Sequence, residues 1–197
     1  LFVSHDMAAV ESLCERAVLL RDGRITREGP TSCVIGDYLS AASNLSSQDL
    51  ADRADRKGNG SLRFISVNFA DDQGHILKSV STGQTLKIQL RYRSKGRVNW
   101  HDLQVSVGFR DSLGRFLFNC PSNVIPSLNR QLPLEGRLVC TVPRIPLPPG
   151  HYTFNIFCAV RGQIADWVKN AGSLEVNSGD YYGTGRLPSH RKGLLVD

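Results

Sequence analysis

From residue 61 onward, apolar and polar residues alternate in short runs that are separated by turn-forming residues. A period of two is typical of a β-strand that buries one face. In the clearest run, residues 85–93, every second side chain is apolar; the apolar set is Leu86, Ile88, Leu90 and Tyr92. The same alternation predicts inward side chains in two further runs, which are Ile65, Val67 and Phe69 in residues 63–69 and Val105, Val107 and Phe109 in residues 104–110.

Further runs predict more strands at residues 115–118, 138–142, 152–160, 164–168 and 174–176. Short strands separated by turns, with no convincing helix among them, predict an antiparallel β-sandwich. The stretch Leu-Pro-Pro-Gly-His-Tyr at residues 147–152 places a tyrosine at a strand start, as at the corner of immunoglobulin-like sandwiches. We therefore expect the Tyr152 hydroxyl to bond back to the backbone in a structural role.

The first forty residues follow other periods. Residues 1–3, Leu-Phe-Val, form a continuous apolar run that is typical of the end of a strand buried on both faces, and Ser-His-Asp follows it. The pattern then predicts a helix at residues 7–15 with Asp6 as its N-cap, a hairpin at residues 18–25 and a helix at residues 31–43. Because the chain starts within an apolar run and without a methionine, we expect it to be the tail of a longer protein.

Two segments match neither pattern. Residues 44–60 are polar and end in Gly-Asn-Gly, which predicts a linker. Residues 178–197 end in Gly-Leu-Leu-Val-Asp, and we expect this apolar end to pair with a sheet edge of its own or a partner subunit. The predicted division is therefore 1–43, 44–60, 61–177 and 178–197.

Composition narrows the class of protein. Charged residues make up 21% and hydrophobic residues 41% of the chain, as in ordinary globular proteins. No apolar run approaches the ~20 residues of a spanning helix and no signal peptide opens the chain, so we expect a cytoplasmic location. The five cysteines are scattered without C-x-x-C spacing, which predicts reduced thiols and no metal site. The net charge of +6 is spread along the chain and by itself assigns no partner.

In residues 1–43, the order of strand, Ser-His-Asp, helix, hairpin, Glu-Gly-Pro and closing helix resembles the end of an ABC-transporter ATPase domain. The family motif matches at Val3, Ser4, His5 and Asp6. The resemblance implies that His5 is the switch histidine, whose neutral imidazole contacts the γ-phosphate of ATP and helps to place the attacking water. The sequence holds no G-x-x-x-x-G-K-[ST] loop, so we do not expect this chain to hydrolyse ATP alone. ATP and magnesium are the cofactors implied for the parent protein.

An ATPase tail, a polar linker and a β-sandwich together resemble the ATP-binding subunit of a bacterial polysaccharide exporter of the Wzt type. The stretches that carry this part of the resemblance are RFISVNFADDQG, VGFRDSLGRFLF, PLPPGHYTFNIF and HRKGLLVD. In that family the cytoplasmic sandwich dimerises and recognises the lipid-linked O-antigen glycan before export. The resemblance thus implies a homodimer, a transmembrane permease subunit and a lipid-linked polysaccharide as partners, no nucleic acid, and a place at the inner membrane through the transporter.

Glycan binding uses aromatic faces for sugar C–H surfaces and planar polar side chains for hydroxyls. The outward residues of the predicted strands are Gln89, Arg91, Gln104, Ser106, Arg110, Asn155 and Phe157, and the loop candidates are Trp100, His101, Asp102, Asp166 and Trp167. We rank Trp100, Asp102 and Arg110 first because they lie on or beside one strand. The alternative is that most outward residues are ordinary solvated surface and that either tryptophan belongs to the core.

No nucleophile–base set and no paired carboxylates stand out, so an independent glycosidase is not expected. Three hypotheses remain for the sandwich. It recognises the exported glycan, it is a dimerisation or regulatory module that gates the ATPase without touching substrate, or it binds an anionic polymer through its basic surface. The third predicts an affinity that falls steeply with salt. Which face of the sandwich would bind stays open.

Overall fold

The structure is a computed structural model that describes residues 2–3, 7–21, 23–46, 49–122, 130–185 and 195. Its N-terminal part contains two helices, α1 Met7–Leu13 and α2 Thr31–Ser46. Between them lies an antiparallel hairpin, β1 Arg16–Arg21 and β2 Arg24–Pro30. The predicted helix, hairpin and closing helix of the first forty residues are thus confirmed.

The predicted strand at the start of the chain is not formed by the two of its residues that the structure describes, Phe2 and Val3. Phe2 and Val3 have no strand structure and are 46% and 86% exposed. A strand buried on both faces needs neighbouring strands, and no described strand pairs with these two residues. The prediction of a buried strand is therefore wrong for Phe2 and Val3. Leu1 and the Ser-His-Asp motif with His5 lie outside the described residues.

From Arg56 onward the chain forms two main sheets. The smaller sheet has the antiparallel order β11-β6-β4, with β4 Leu62–Ala70, β6 Leu86–Ser94 and β11 Glu135–Val142. The larger sheet has the order β3-β13-β12-β8-β9, and a sixth strand, β5, runs parallel to β13. Its strands are β3 Arg56–Lys57, β5 Ser79–Ser81, β8 Leu103–Arg110, β9 Phe116–Pro121, β12 Gly150–Val160 and β13 Gln163–Asn177. A separate pair joins β7 Val98–Asn99 to β10 Gln131–Leu132.

The inner faces of the two sheets share one hydrophobic core, which confirms the predicted sandwich. The alternating residues of β6 from Leu86 to Tyr92 are at most 2% exposed, as predicted. From the larger sheet, the Phe154 ring meets Phe69 edge-on at 5.2 Å between centroids and Phe109 at 6.0 Å. Removal of these apolar faces from water is the main favourable term for folding.

Tyr152 forms the predicted immunoglobulin-like corner. Its hydroxyl donates a hydrogen bond of 2.7 Å to the carbonyl oxygen of Pro148. Burial raises the pKa of the phenol to about 12, so the donor stays protonated at physiological pH. The structural role that the sequence predicts is therefore confirmed.

A β-bulge corrects one predicted inward position. β4 carries an extra residue opposite β6 between Phe64 and Ser66. A bulge shifts the alternation of side chains by one residue. Phe64 therefore points inward before the bulge and Val67 after it, whereas Ile65 is half-buried at the edge of a surface depression beside Arg91. The prediction that Ile65 points into the core is wrong for this reason.

Residues 49–60 pack into the sandwich, although the sequence predicts a linker at 44–60. Leu50 is 1% exposed within the core, and β3 pairs with β13. Gly58 has a φ of 126° and lies so close to β13 that a Cβ atom would be 2.4 Å from the Ala165 carbonyl oxygen. Because the segment is mostly polar, its sequence did not indicate that these few residues anchor it to the sandwich. The domain boundaries themselves stay predictions.

A buried ion pair joins this segment to both sheets. The Arg56 guanidinium lies 3.5 Å from the Asp166 carboxylate, and the two side chains are 4% and 1% exposed. Arg56 also donates to the carbonyl oxygens of Leu50 at 2.6 Å and Phe64 at 3.2 Å, while Asp166 accepts from the Phe64 N–H at 2.9 Å. Burial raises the pKa of Asp166 even though Arg56 is adjacent.

The described part of the C-terminal tail ends at Gly185. The Arg144 guanidinium lies 4.6 Å from the Tyr181 ring centroid, which holds the start of this tail against the sandwich. Apart from Leu195, the predicted terminal strand lies outside the described residues and stays a prediction. Neither described helix combines the length and the apolar character that a membrane-crossing helix requires.

Candidate functional site on the outer face of the larger sheet

The outward positions of the larger sheet form a surface that we call the aromatic face. Strand register aligns its rows: Trp167 lies opposite Lys57 on one side and Phe157 on the other, and Phe157 lies opposite Ser106. The next rows place Asn155 and Asn119 on either side of Gly108, and Arg110 between Thr153 and Phe116. The members are Lys57, Gln104, Ser106, Gly108, Arg110, Phe116, Asn119, Thr153, Asn155, Phe157, Trp167 and Lys169.

Trp167 and Phe157 form an aromatic pair at one end of this face. Their rings meet edge to face, with centroids 6.2 Å apart and an interplanar angle of 80°. The ammonium groups of Lys57 and Lys169 lie 5.8 Å and 5.1 Å from the Trp167 centroid. Both aromatic residues are half-buried on paired strands, so their rings are held in position while part of each faces solvent.

Asn155 and Gly108 shape the middle of the aromatic face. Asn155 lies opposite a bulge in β13, and its side-chain oxygen accepts a hydrogen bond of 2.8 Å from the Asn170 N–H. That bond fixes the orientation of the amide. Gly108, opposite Asn155, has no side chain, and a Cβ there would lie 3.4 Å from the Phe116 ring. The centre of the face is thus a shallow low point between an amide and an aromatic ring.

Arg110 and Phe116 form the other end. The guanidinium donates a hydrogen bond of 2.6 Å to the Gly114 carbonyl oxygen and lies 6.0 Å from the Phe116 centroid. Phe116 is 55% exposed, which is unusual for a residue of this size on a strand. The neighbouring turn is rigid because Asp111 accepts hydrogen bonds from the backbone N–H groups of Leu113 and Arg115.

Two of the three residues ranked first from the sequence do not belong to this cluster. Asp102 lies beyond the start of β8, about 25 Å along the strand from Arg110 at the usual rise per residue. It accepts a hydrogen bond of 3.1 Å from Arg161 Nε in the adjacent β12–β13 turn. Gln104 is exposed at the same end of β8. Asp102 therefore borders the aromatic face at the end that carries its member Gln104.

Trp100 lies away from the aromatic face. Its ring packs against the hydrophobic core, as the alternative for the tryptophans predicts, and also lines a cavity of about 190 Å³. Its backbone N–H donates to the Arg130 carbonyl oxygen at 2.8 Å. Of the seven glycan candidates, Gln104, Arg110, Asn155, Phe157 and Trp167 therefore share one surface, whereas Asp102 borders it and Trp100 does not.

The sequence missed several members of the aromatic face. Lys57 belongs to the supposed linker, and only the pairing of β3 with β13 brings it beside Trp167. Phe116 and Asn119 lie on a predicted strand or just past it, but their side depends on an irregular register between β8 and β9. Alternation alone could have added Lys169, two residues after Trp167, and Thr153, two residues before Asn155.

The aromatic face offers ring surfaces, amides and cations on a sheet that does not need to rearrange. Within the described ranges, no group of three or more His, Cys, Asp or Glu side chains is placed to hold a metal ion. The chemistry available there is non-covalent recognition, through stacking on rings and hydrogen bonds to fixed polar groups.

Comparison with known families identifies the sandwich. A family model described as the Wzt C-terminal domain matches residues 53–187. The chain belongs to the Wzt C-terminal domain family. This confirms the resemblance seen in the sequence, and the matched range begins inside the segment that the structure adds to the sandwich.

A solved structure and a relative support the assignment at different levels. The crystal structure of the C-terminal domain of wzt superimposes with a TM-score of 0.56 at 13% identity, covering 65% of this chain and 81% of that one, which shows a shared fold. A putative ABC transporter ATP-binding protein of Geobacter sulfurreducens is 44% identical over 46 residues, or 23% of this chain. The match spans only 18% of that relative's length. The sandwich is thus the Wzt C-terminal domain of an ABC transporter.

Proposed function

We propose that this Wzt C-terminal domain recognises the polysaccharide that its transporter exports, and that the aromatic face is the binding surface. The observation that carries the proposal is the fixed Trp167–Phe157 pair with Asn155 in the next row of the same sheet. Aromatic ring faces suit the C–H surfaces of sugars, and oriented amides suit their hydroxyl groups. A ligand that lies along the rows would meet both kinds of group.

The wider role follows from family membership and from the ATPase resemblance in the first forty residues. In the parent protein, ATP and magnesium would bind at the ATPase domain, where His5 would act as the switch histidine. A homodimer would contact a transmembrane permease at the inner membrane, and the sandwich would bind the lipid-linked glycan on the cytoplasmic side. Binding would then be coupled to ATP-driven export.

The test is a calorimetric titration of the whole 197-residue chain. The probe is the polysaccharide released by mild acid from the lipopolysaccharide of the bacterium that carries the gene, with dextran as the unrelated glycan. We expect saturable binding of the first probe that changes little between low and high salt, since stacking and neutral hydrogen bonds carry it. Trp167→Ala should weaken binding about tenfold, the scale of one lost aromatic contact.

Tyr182→Ala is the matched control, because this tyrosine is 53% exposed and lies outside the aromatic face. It should leave the affinity unchanged. If no probe gives heat or chemical-shift changes while light scattering shows a tight dimer, the proposal is overturned in favour of the dimerisation or regulatory hypothesis. Equal losses in the Trp167 and Tyr182 variants would contradict the choice of face.

A further inference from the structure

The outward positions of the smaller sheet are rich in cationic side chains. Five cationic side chains and one carboxylate share them in register; these are Arg63, Lys87, Arg91, Arg93, Arg137 and Glu135. Glu135 is bound to Arg93 at 2.7 Å and so neutralises one of the five. Arginine thus dominates the outer side of this sheet, whereas the aromatic face combines its cations with rings and amides.

Arg91 and Arg137 stand out in this set because they face each other without a carboxylate partner. They lie directly opposite each other on β6 and β11, where side chains are about 5 Å apart and like charges are destabilising. No carboxylate of the described residues lies within 4.0 Å of either guanidinium. Arg137 donates instead to the side-chain oxygen of Gln89 at 3.1 Å, and Gln89 is 8% exposed. A buried amide therefore holds one guanidinium beside the other.

A depression of about 380 Å³ lies between these two arginines. Tyr92 and Gly136, which lie opposite each other on β6 and β11, also line it, but the Tyr92 ring points into the core and is 1% exposed. The bulge at Ile65 supplies an apolar wall, and Glu135 lies on the rim. The depression thus lies beside one glycine and one bulge of the sheet.

A second cavity continues the first. The cavity of about 190 Å³ beside Trp100 also has Tyr92, Gly136 and Arg137 in its lining. The two cavities adjoin at these shared residues, with Arg91 lining the first and Trp100 the second, and we treat them as one groove. We call it the arginine groove, and it contains both an aromatic ring and a pair of guanidinium groups.

We propose that the arginine groove is a second binding site, separate from the aromatic face, and that it takes an anionic sugar, one that carries a carboxylate or a phosphate. Two adjacent guanidinium groups match the paired oxygens of either anion. Trp100 and Ile65, which are only partly buried, give the sugar ring apolar surface that a bare inorganic anion would not use. The proposal rests on the proposed function only in taking the ligand to be a glycan.

The test titrates the whole chain with trigalacturonic acid, with its fully methyl-esterified form as the neutral match and with glucose 6-phosphate. We expect the acid to bind at least tenfold more tightly than the ester, with an affinity that falls as salt rises. Binding of trigalacturonic acid alone would identify a carboxylate site, and stronger binding of glucose 6-phosphate would identify a phosphate site. Equal affinity for the acid and its ester overturns the proposal.

Variants locate the site. Arg91→Gln and Arg137→Gln should each weaken binding of the acid about tenfold, because each removes a charge-assisted hydrogen bond. Arg91→Lys keeps the charge but not the planar fork, so an intermediate loss is expected. Lys87→Gln is the control on the same sheet, since Lys87 lies outside the lining of both cavities and its ammonium donates to the Asp72 carbonyl oxygen at 2.6 Å. It should change the affinity less than threefold, and a loss as large as that of Arg91→Gln would mean diffuse electrostatics and overturn the proposal.

Two further probes separate other polyanions. If phosphatidylglycerol vesicles or single-stranded DNA bind in an Arg91-dependent way while the acidic sugars do not, the groove serves another class of partner and the proposal is wrong. If the groove proposal fails, the proposed function still stands as long as the polysaccharide released from the lipopolysaccharide binds in a Trp167-dependent way. Conversely, acid binding at the groove without any Trp167-dependent binding would overturn the aromatic face alone.

Discussion

The two sides of this sandwich share one core and one alternation rule, yet they present opposite chemistry to a ligand. The aromatic face is shallow and offers rings and amides, with its lysines set against Trp167. The arginine groove is concave and offers two facing guanidinium groups. The difference lies in the outward residues of the two sheets. Under the two proposals, one fold would read neutral and charged parts of a polymer at separate places.

The variant with the largest expected effect destabilises the whole sandwich and so affects both surfaces together. Arg56→Ala would leave the Asp166 carboxylate buried without its partner between the two sheets, so we expect the free energy of unfolding to fall by about 3 kcal/mol. Urea denaturation followed by tryptophan fluorescence measures the change. Arg161→Ala is the control, because its ion pair with Asp102 is largely exposed and should contribute under about 1 kcal/mol. Comparable losses in both variants would show that Arg56 does not join the sheets.

An intermediate effect tests whether the two surfaces are independent. Trp167 and Arg91 lie on opposite outer sides of the sandwich, and distant sites have additive effects on free energy. In calorimetry with each surface's own probe, the double variant Trp167→Ala/Arg91→Gln should show the sum of the single losses to within about 0.5 kcal/mol. A larger coupling energy would mean that one ligand spans both surfaces, and the two surfaces would then not be independent sites.

The smallest effect concerns the low point at Gly108. A Cβ there would make only ordinary contacts, 3.4 Å from Phe116 and 3.5 Å from Asn119, so Gly108→Ala should fold normally. We expect two- to threefold weaker binding of the polysaccharide released from the lipopolysaccharide, about 0.5 kcal/mol, because the methyl group fills the space between Asn155 and Phe116. Binding of trigalacturonic acid should not change. An unchanged affinity for both probes would place the neutral ligand away from the middle rows.

Alternation along the chain was enough to predict the sandwich, the inward set of β6 and the role of Tyr152, because each depends on local period or on a short turn motif. Five of the seven glycan candidates share one surface; alternation supplied four of them, whereas Trp167 was a loop candidate and lies on β13. What alternation missed depends on contacts between distant parts of the chain. Lys57 reaches Trp167 only through strand pairing, and the groove needs Arg137 to lie directly opposite Arg91.

The cysteines are a second case in which the sequence does not indicate a contact between distant residues. Cys120 and Cys140 are far apart in sequence, but their thiols lie close enough between β9 and β11 to influence each other's ionisation. The neighbouring thiol and burial raise the pKa of Cys120. Their spacing in the sequence predicted reduced, mostly buried thiols, and nothing in it indicated that two of them meet.

The anchoring of residues 49–60 sets a rule for exchanging specificity between transporters. A chimera that joins a foreign ATPase domain to this sandwich at Ser61 would discard Leu50 from the core and Arg56 from the carboxylate of Asp166. It would also remove Lys57 from beside Trp167. A junction placed before Asp49 would carry all three along. Under the proposed function, the segment that has to be transferred to carry over glycan specificity would therefore begin at Asp49, about a dozen residues before β4.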